Sequence, residues 1–459
     1  MNRTERLRRK DKAAIWHPFT QMADWEKDEP LVIERGEGNY LFDTDGNRYF
    51  DGVSSLWVNL FGHCRKEIDD AVRAQLSMLG HSTFLGLTHP PAIDLAEKLV
   101  AAAPPGLSRV FYSDNGSTAM EIAIKMAFQY WGQKEGGDGK TVFLTHSEAY
   151  HGDTIGSVSA GGIDLFHKIF RPLLFTTRRL PTPHCYRCPY GLSRPSCFMQ
   201  CADRMEEAVR EGRESLAAVI VEPLVQGAAG MLMMPGGYLS RLRTVTRECG
   251  VLLIADEVAT GFGRTGAMFA CDHEAVAPDI MAVAKGLTGG YLPLAATLTT
   301  EDIYKGFLGR HEEFRTFFHG HSYTANPLGC AAALATISIF EKEDVLGRVS
   351  DLSITMEESL SAVPAHPNVG DVRQKGLMAG IEIVADRVTK ERFPSERKIG
   401  QKIARKAREK GVIIRPLGDV VVLMPPLSST EKEIEDLAAA AVWAIRETLS
   451  AECVAKVRA

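Results

Sequence analysis

Leu252–Gly266 reads LLIADEVATGFGRTG, and Ala282–Pro293 downstream reads AVAKGLTGGYLP. The first stretch opens on an unbroken apolar run, the pattern of a short strand buried on both faces. That run ends on an acid, Asp256, and the second stretch sets Lys285 in a glycine-flanked loop. An acid closing a buried strand, followed by a lysine in a loop, is the pairing that pyridoxal 5'-phosphate (PLP) needs. The carboxylate keeps the pyridine nitrogen protonated so that the ring draws electrons, and the amine holds the aldehyde covalently and moves protons. Alone, each residue has an ordinary reading, Asp256 as a helix cap and Lys285 as a solvated surface group.

TVFLTH (141–146) and AAVIVEP (217–223) are further short apolar strands, and the strand RVFYSD (109–114) precedes a helix that starts after Asn115–Gly116–Ser117. Amphipathic helices are expected near 68–79 and 92–102. Apolar strands alternating with helices predict an α/β fold whose large domain is a mostly parallel sheet covered by helices. Upstream, LVIERGEGNYLFDTDGNRYFDGVSS (31–55) divides into three short strands at its Gly, Asn and Asp-Gly turns. Downstream, a long helix (CAAALATISIFEKE) leads to strands around GLMAGIEIV, VIIRPLG and VVVLMPPL and a closing helix from Ser429. The expected division is a strand-rich N-terminal arm (1–65), a large domain (66–335) and a smaller α+β C-terminal domain (336–459).

The 459 residues are 45% hydrophobic, ample for a sizeable core, and the net charge of −5 leaves no electrostatic footprint for nucleic acid. The basic opening MNRTERLRRKDKAAIW is followed by no apolar stretch of signal-peptide length, and no apolar run is long enough to span a membrane. A cytoplasmic chain is expected. Cys185, Cys188, Cys197 and Cys201 fall within HCYRCPYGLSRPSCFMQC, with C-x2-C then C-x3-C spacing. They form a candidate structural zinc loop, or a surface loop with idle thiols.

Gly116 and Ser117 stand at the start of an Ala/Met/Ile-rich helix, where free N–H groups and the helix dipole suit a phosphate; ordinary N-capping is the alternative. Tyr150, after the strand TVFLTH, is placed to lie flat on a cofactor ring, or to fill core. Glu222 ends a strand as a cofactor-facing or a capping carboxylate. Arg415, between an apolar strand and a Pro-Leu-Gly turn, could fork onto a substrate carboxylate, whereas Arg264 in GFGRTG reads as structural. His319 and His321 lack a third metal ligand nearby, and Ser322 or Thr324 in the same loop could serve a phosphate.

DEVATGFGRTG with Lys285, NGSTAMEIAIKMA, AYHGDT and HSYTANPLG together resemble the class III aminotransferases, PLP enzymes of fold type I, over essentially the whole chain. The resemblance implies a homodimer with shared active sites, in which Ser322 reaches the phosphate bound by the partner. It also assigns Lys285 to the aldehyde, Asp256 to the pyridine nitrogen, Tyr150 to the ring, and Gly116 with Ser117 to the phosphate. IWHPFTQM, MAFQYW, IVEPLVQGAAGM and RPLGDVVVLMPPL are similar to the branch that aminates 8-amino-7-oxononanoate to 7,8-diaminononanoate in biotin synthesis. For that branch Phe19, Trp57 and Arg415 are the substrate-side residues, Arg415 taking the carboxylate. Phe19 and Leu56 replace a tyrosine and a tryptophan of the S-adenosylmethionine-using form, which resembles enzymes that take lysine as amino donor. A broad-range omega-amine or 4-aminobutyrate aminotransferase, a PLP aminomutase and a PLP-binding regulatory module are the competing expectations.

Overall fold

The computed structural model describes residues 1–134 and 139–457. The basic opening, which shows no apolar periodicity, forms the helix Arg3–Ala14. Asn2 accepts from Glu5 N at 2.8 Å and Glu5 accepts from Asn2 N at 2.9 Å, a reciprocal cap that satisfies two otherwise orphan donors. Three short strands follow, β1 (Ile33–Glu37), β2 (Tyr40–Asp43) and β3 (Arg48–Asp51), as the turn residues between them predict.

The middle of the chain supplies β4 (Leu107–Ser113), β5 (Val142–His146), β6 (Thr177–Leu180) and β7 (Leu216–Val221). A small hairpin, β8 (Val225–Gln226) and β9 (Leu232–Met233), precedes β10 (Leu252–Asp256), β11 (Ile280–Val283) and β12 (Ala295–Thr300). Seven of these make one sheet in the order β4-β12-β11-β10-β7-β5-β6. From β11 to β6 the neighbours run parallel, and β12 alone is reversed against both β11 and β4. Every residue of β7, β10 and β11 is buried. Successive side chains point to opposite faces. Ile220, Ile254 and Ile280 pack with Met120, Ala123 and Ala127 of the helix Gly116–Gln133 on one face. Val219, Leu253 and Met281 join the core holding Leu239, Leu242 and Val245 of the helix Tyr238–Glu248 on the other. Truncating one such side chain to alanine costs about 2–5 kcal/mol.

Two sheet strands carry no apolar run. Edge strand β6 is Thr-Arg-Arg-Leu, and Arg179 turns back to donate to the carbonyls of Ser159 and Gly161. Buried β12 is Ala-Ala-Thr-Leu-Thr-Thr, with Thr297 donating to Ala119 O at 2.8 Å.

The last segment forms β13 (Val369–Lys375), β14 (Met378–Ile383), β15 (Val412–Ile413), β16 (Arg415–Leu417) and β17 (Val420–Leu423), closing with the helix Glu431–Val457. An antiparallel sheet runs β13-β14-β17-β16, while β15 pairs parallel with β3, so the arm and the last segment share a sheet. Among the described residues no helix is long and apolar enough to cross a membrane.

Candidate active site

Open parallel sheets bind ligands beyond the carboxyl ends of their strands. Here Asp256 is the last residue of β10, Glu222 follows β7, Lys285 lies just beyond β11, and Tyr150 follows β5. Together with Gly116, Ser117 and Trp57 they wall one cleft of about 700 Å³.

Asp256 is buried and its Oδ2 lies 2.7 Å from His151 Nδ1, while Oδ1 accepts from Val258 N at 3.1 Å. His151 is itself buried. Burial opposes its charge, but the bond to Asp256 and the field of that carboxylate outweigh it and hold the imidazole pKa above its ordinary value. Sequence reasoning did not select His151; its one signal was its place directly after Tyr150. Glu222 is pushed up to about 7 by burial, with Asp256 adding and His151 opposing, and its carboxyl accepts from Tyr150 N and Gly227 N, each at 3.0 Å. Lys285 Nζ reaches the cleft from a buried setting that lowers its pKa; Asp256 and Glu222 oppose that shift, and Arg264 adds to it. The ammonium stands 4.9 Å from the centroid of the Trp57 ring.

At the helix Gly116–Gln133, Asn115 accepts from Thr118 N at 3.1 Å, so the capping role falls to Asn115 and leaves Gly116 and Ser117 facing the cleft. Ser117 Oγ pairs with Thr154 Oγ1 at 2.8 Å and accepts from Thr154 N at 2.9 Å. The backbone here is crowded. A Cβ on Gly116 would meet Val258 Cγ1 at 2.5 Å, and one on Gly152 would meet Ser117 Cβ and Oγ at 2.4 Å. Tyr150 donates to Asp153 at 2.8 Å and packs edge-on against Phe166.

Other expected residues lie outside this wall. Arg415 is partly buried, which lowers its pKa, with Tyr150 as its electrostatic neighbour. Among the described residues no carboxylate lies within ion-pairing distance of it. Phe19 is exposed and sits edge-on to Phe166 at 5.3 Å, one ring removed from Tyr150, and Leu56 is half exposed. Ser322 is exposed, and Thr324 Oγ1 is taken by His321 N at 2.9 Å. His319 faces Lys125 and His321 faces Asp114, so neither histidine belongs to a cluster of possible metal ligands among the described residues. Arg264 is fully buried and donates to Pro425 O at 2.6 Å and Asn59 O at 2.7 Å.

The four cysteines of the 184–201 loop line a cavity of about 30 Å³ as free thiols. Among the described residues the one cluster with ligand atoms within 4.8 Å is His184, Asp371 and Glu382, whose carboxylates are already paired with Arg373 and Arg187.

A partly buried amine, a buried carboxylate braced by an imidazole, a helix N-terminus behind glycines and an aromatic ring surround a cleft of this size. The set fits PLP, and the glycine cradle has no room for side chains where the phosphate end would sit. The class III aminotransferase family profile matches residues 21–445. The chain belongs to this family. Class III aminotransferases are PLP-dependent enzymes of fold type I, and so is this one. The adenosylmethionine-8-amino-7-oxononanoate aminotransferase of Nitratidesulfovibrio vulgaris is 56% identical over 95% of this chain and 81% of its own length. That of Geobacter sulfurreducens is 52% identical over 95% of this chain and 96% of its own length. The crystal structure of the Methanocaldococcus jannaschii enzyme of the same name superposes with a TM-score of 0.92 at 47% identity, covering 96% and 99% of the two chains. An (S)-enantioselective omega-transaminase from Thermomicrobium roseum gives 0.92 at 36% identity, covering 98% and 99%.

Proposed function

We propose that this class III aminotransferase moves an amino group onto 8-amino-7-oxononanoate, giving 7,8-diaminononanoate in biotin synthesis, with lysine as amino donor. The observation that carries the catalytic reading is that Lys285, just beyond β11, and the His151-braced Asp256, at the end of neighbouring β10, line one cleft. The acceptor is supported by relatives of 48–56% identity that bear its name.

Bound PLP supplies the electron sink that lets a C–H bond beside nitrogen break. Gly116 and Ser117 would hold the phosphate, and Tyr150 would cover the ring. Asp256, hydrogen-bonded to His151, would keep a proton on the pyridine nitrogen. Glu222 fixes the backbone at Tyr150 and Gly227, so one carboxyl ties the loop that carries the tyrosine to the turn after β8. Lys285 Nζ would hold the aldehyde and, as the amine nearest the reacting atoms, would hold and move the proton taken from the substrate carbon. Burial lowers its pKa, the direction that favours the neutral, basic amine. Arg415, partly buried without an acidic partner, takes the acceptor's carboxylate.

Lysine is supported by Phe19 and Leu56, which offer the donor no hydrogen-bonding group. The second reading, S-adenosylmethionine, is favoured by the donor named in the relatives above. We also propose a cytoplasmic homodimer in which Ser322, exposed on its loop, serves the phosphate of the partner. Stopped-flow absorbance tests the core of the reading. A donor should bleach the visible band of the holoenzyme, and 8-amino-7-oxononanoate should restore it. In Lys285→Ala the cofactor should bind while turnover vanishes; normal turnover in that variant would remove Lys285 from its role.

A further inference from the structure

Ser54, Ser55, Leu56 and Trp57 have φ of +49°, +48°, +73° and +72°. They form a left-handed turn, closed by Trp57 N to Val53 O at 2.8 Å and Val58 N to Ser54 O at 2.9 Å. L-residues enter this region singly and at a cost, and none of the four is glycine or asparagine, the residues that tolerate it best. Such strain persists only where the surroundings dictate it.

Both ends of the turn are held. Asp51 is fully buried, its Oδ1 accepting from Ser55 N at 2.8 Å and its Oδ2 from Ser55 Oγ at 2.7 Å, with His63 Nε2 at 3.2 Å. Ser54 Oγ donates to Met424 O at 2.7 Å. Arg264, whose charge lies in the field of Asp51, clasps Asn59 O and Pro425 O just beyond the turn. The turn delivers Trp57, 6% exposed, to within 4.9 Å of Lys285 Nζ. It also packs without a gap on the lysine's loop, since a Cβ on Gly290 would meet Val58 C at 2.8 Å and Asn59 N at 2.9 Å. Lys285 itself has φ of +46°. Two left-handed segments therefore meet at the reactive amine.

We propose that Asp51 and Arg264 are positioning residues, which hold the left-handed turn Ser54–Trp57 so that the Trp57 ring shields the Lys285 amine from water. This rests on the reading of Lys285 as the reactive amine. The charged groups acting on that amine are Asp256, Glu222 and Arg264. With the turn in place, exclusion of water favours the neutral amine; with the turn loosened, water reaches Nζ and its titration moves up toward an ordinary lysine.

The test is competitive acylation of the apoenzyme with acetic anhydride across pH, reading Lys285 by peptide mass spectrometry, with a thermal melt of each variant. Ser55 is exposed, so its variants disturb no packing; glycine and valine both lose the hydroxyl bond to Asp51, and they differ in how well they fit positive φ. Ser55→Gly, which suits positive φ and keeps the N–H bond to Asp51 Oδ1, should titrate close to the parent. Ser55→Val, whose branched Cβ is the worst fit to that φ, should raise the Lys285 midpoint by about one pH unit, a tenfold loss of neutral amine below the midpoint. Asp51→Asn should shift it the same way. A folded Ser55→Val or Asp51→Asn with the parent midpoint would overturn the positioning role, and so would a Ser55→Val that no longer folds, because the turn would then be a folding element. This readout does not depend on turnover, so failure of the aminotransferase reading and failure of the positioning role are told apart.

Discussion

Gly152→Ala strikes the cleft where sequence and packing leave least room. Gly152 has φ of +117°, and a Cβ there would lie 2.4 Å from Ser117 Cβ and Oγ and 2.7 Å from Ser117 Cα. The backbone conformation costs alanine about 1–3 kcal/mol. Forcing a methyl against Ser117 adds about 1–3 kcal/mol, because the obstacle includes backbone as well as a rotatable hydroxyl. Relief requires the start of the helix Gly116–Gln133 to move away from Thr154, breaking the pair of bonds between Ser117 Oγ and that residue. If half of the strain falls on the bound state, about 1–3 kcal/mol, cofactor affinity drops roughly fivefold to somewhat over a hundredfold. The assay is titration of apoenzyme with PLP, followed by the visible band, beside a melt of the apoenzyme. We expect the dissociation constant to rise by that factor while the band, once formed, keeps its position. Unchanged affinity together with an unchanged melt would refute the claim that this glycine shapes the phosphate cradle.

Three further outcomes are expected. Asp256→Asn should lower turnover by several orders of magnitude while leaving the fold intact, measured by steady-state rates beside a melt; near-normal rates would remove Asp256 from the pyridine nitrogen. Arg415→Met should raise KM for 8-amino-7-oxononanoate at least tenfold with little change in the donor half-reaction, as expected for loss of a charge-assisted carboxylate contact; equal effects on both halves would count against the assignment. Glu222, pushed up to about 7 by burial, favours folding fully below the carboxyl's unfolded pKa, and that contribution is lost as pH rises through its folded value. Apoenzyme stability should therefore fall between about pH 4.5 and pH 7 by up to about 3 kcal/mol from this group, and Glu222→Gln should flatten that decline in melts taken across the range.

The parts of the fold most legible in the sequence are those where burial dictates composition. β7 and β10 are apolar up to their terminal acids because both faces are covered, so their ends, and hence Glu222 and Asp256, could be placed by reading alone, whereas Lys285 was marked by its glycine-flanked loop and the short β11 before it was not read as a strand. β6 and β12 carry no such signature, one because it is an edge strand with two arginines and the other because threonines serve its packing. His151 was hidden because its importance is a single contact with a residue far along the chain. The left-handed turn was hidden more deeply. Nothing in VSSLW announces positive φ, and the groups that impose it, Asp51, Met424 and Arg264, come from three separate parts of the sequence. Arg264 reads as structural in the sequence, and its two carbonyl contacts give that role a physical form.

The most direct test is a donor comparison. Holoenzyme with 8-amino-7-oxononanoate receives either lysine or S-adenosylmethionine, and 7,8-diaminononanoate is read by mass spectrometry. Product with lysine alone is the outcome we expect. Product only with S-adenosylmethionine would keep the acceptor and overturn the donor reading drawn from Phe19 and Leu56, and no product with either donor would contradict the proposed reaction itself.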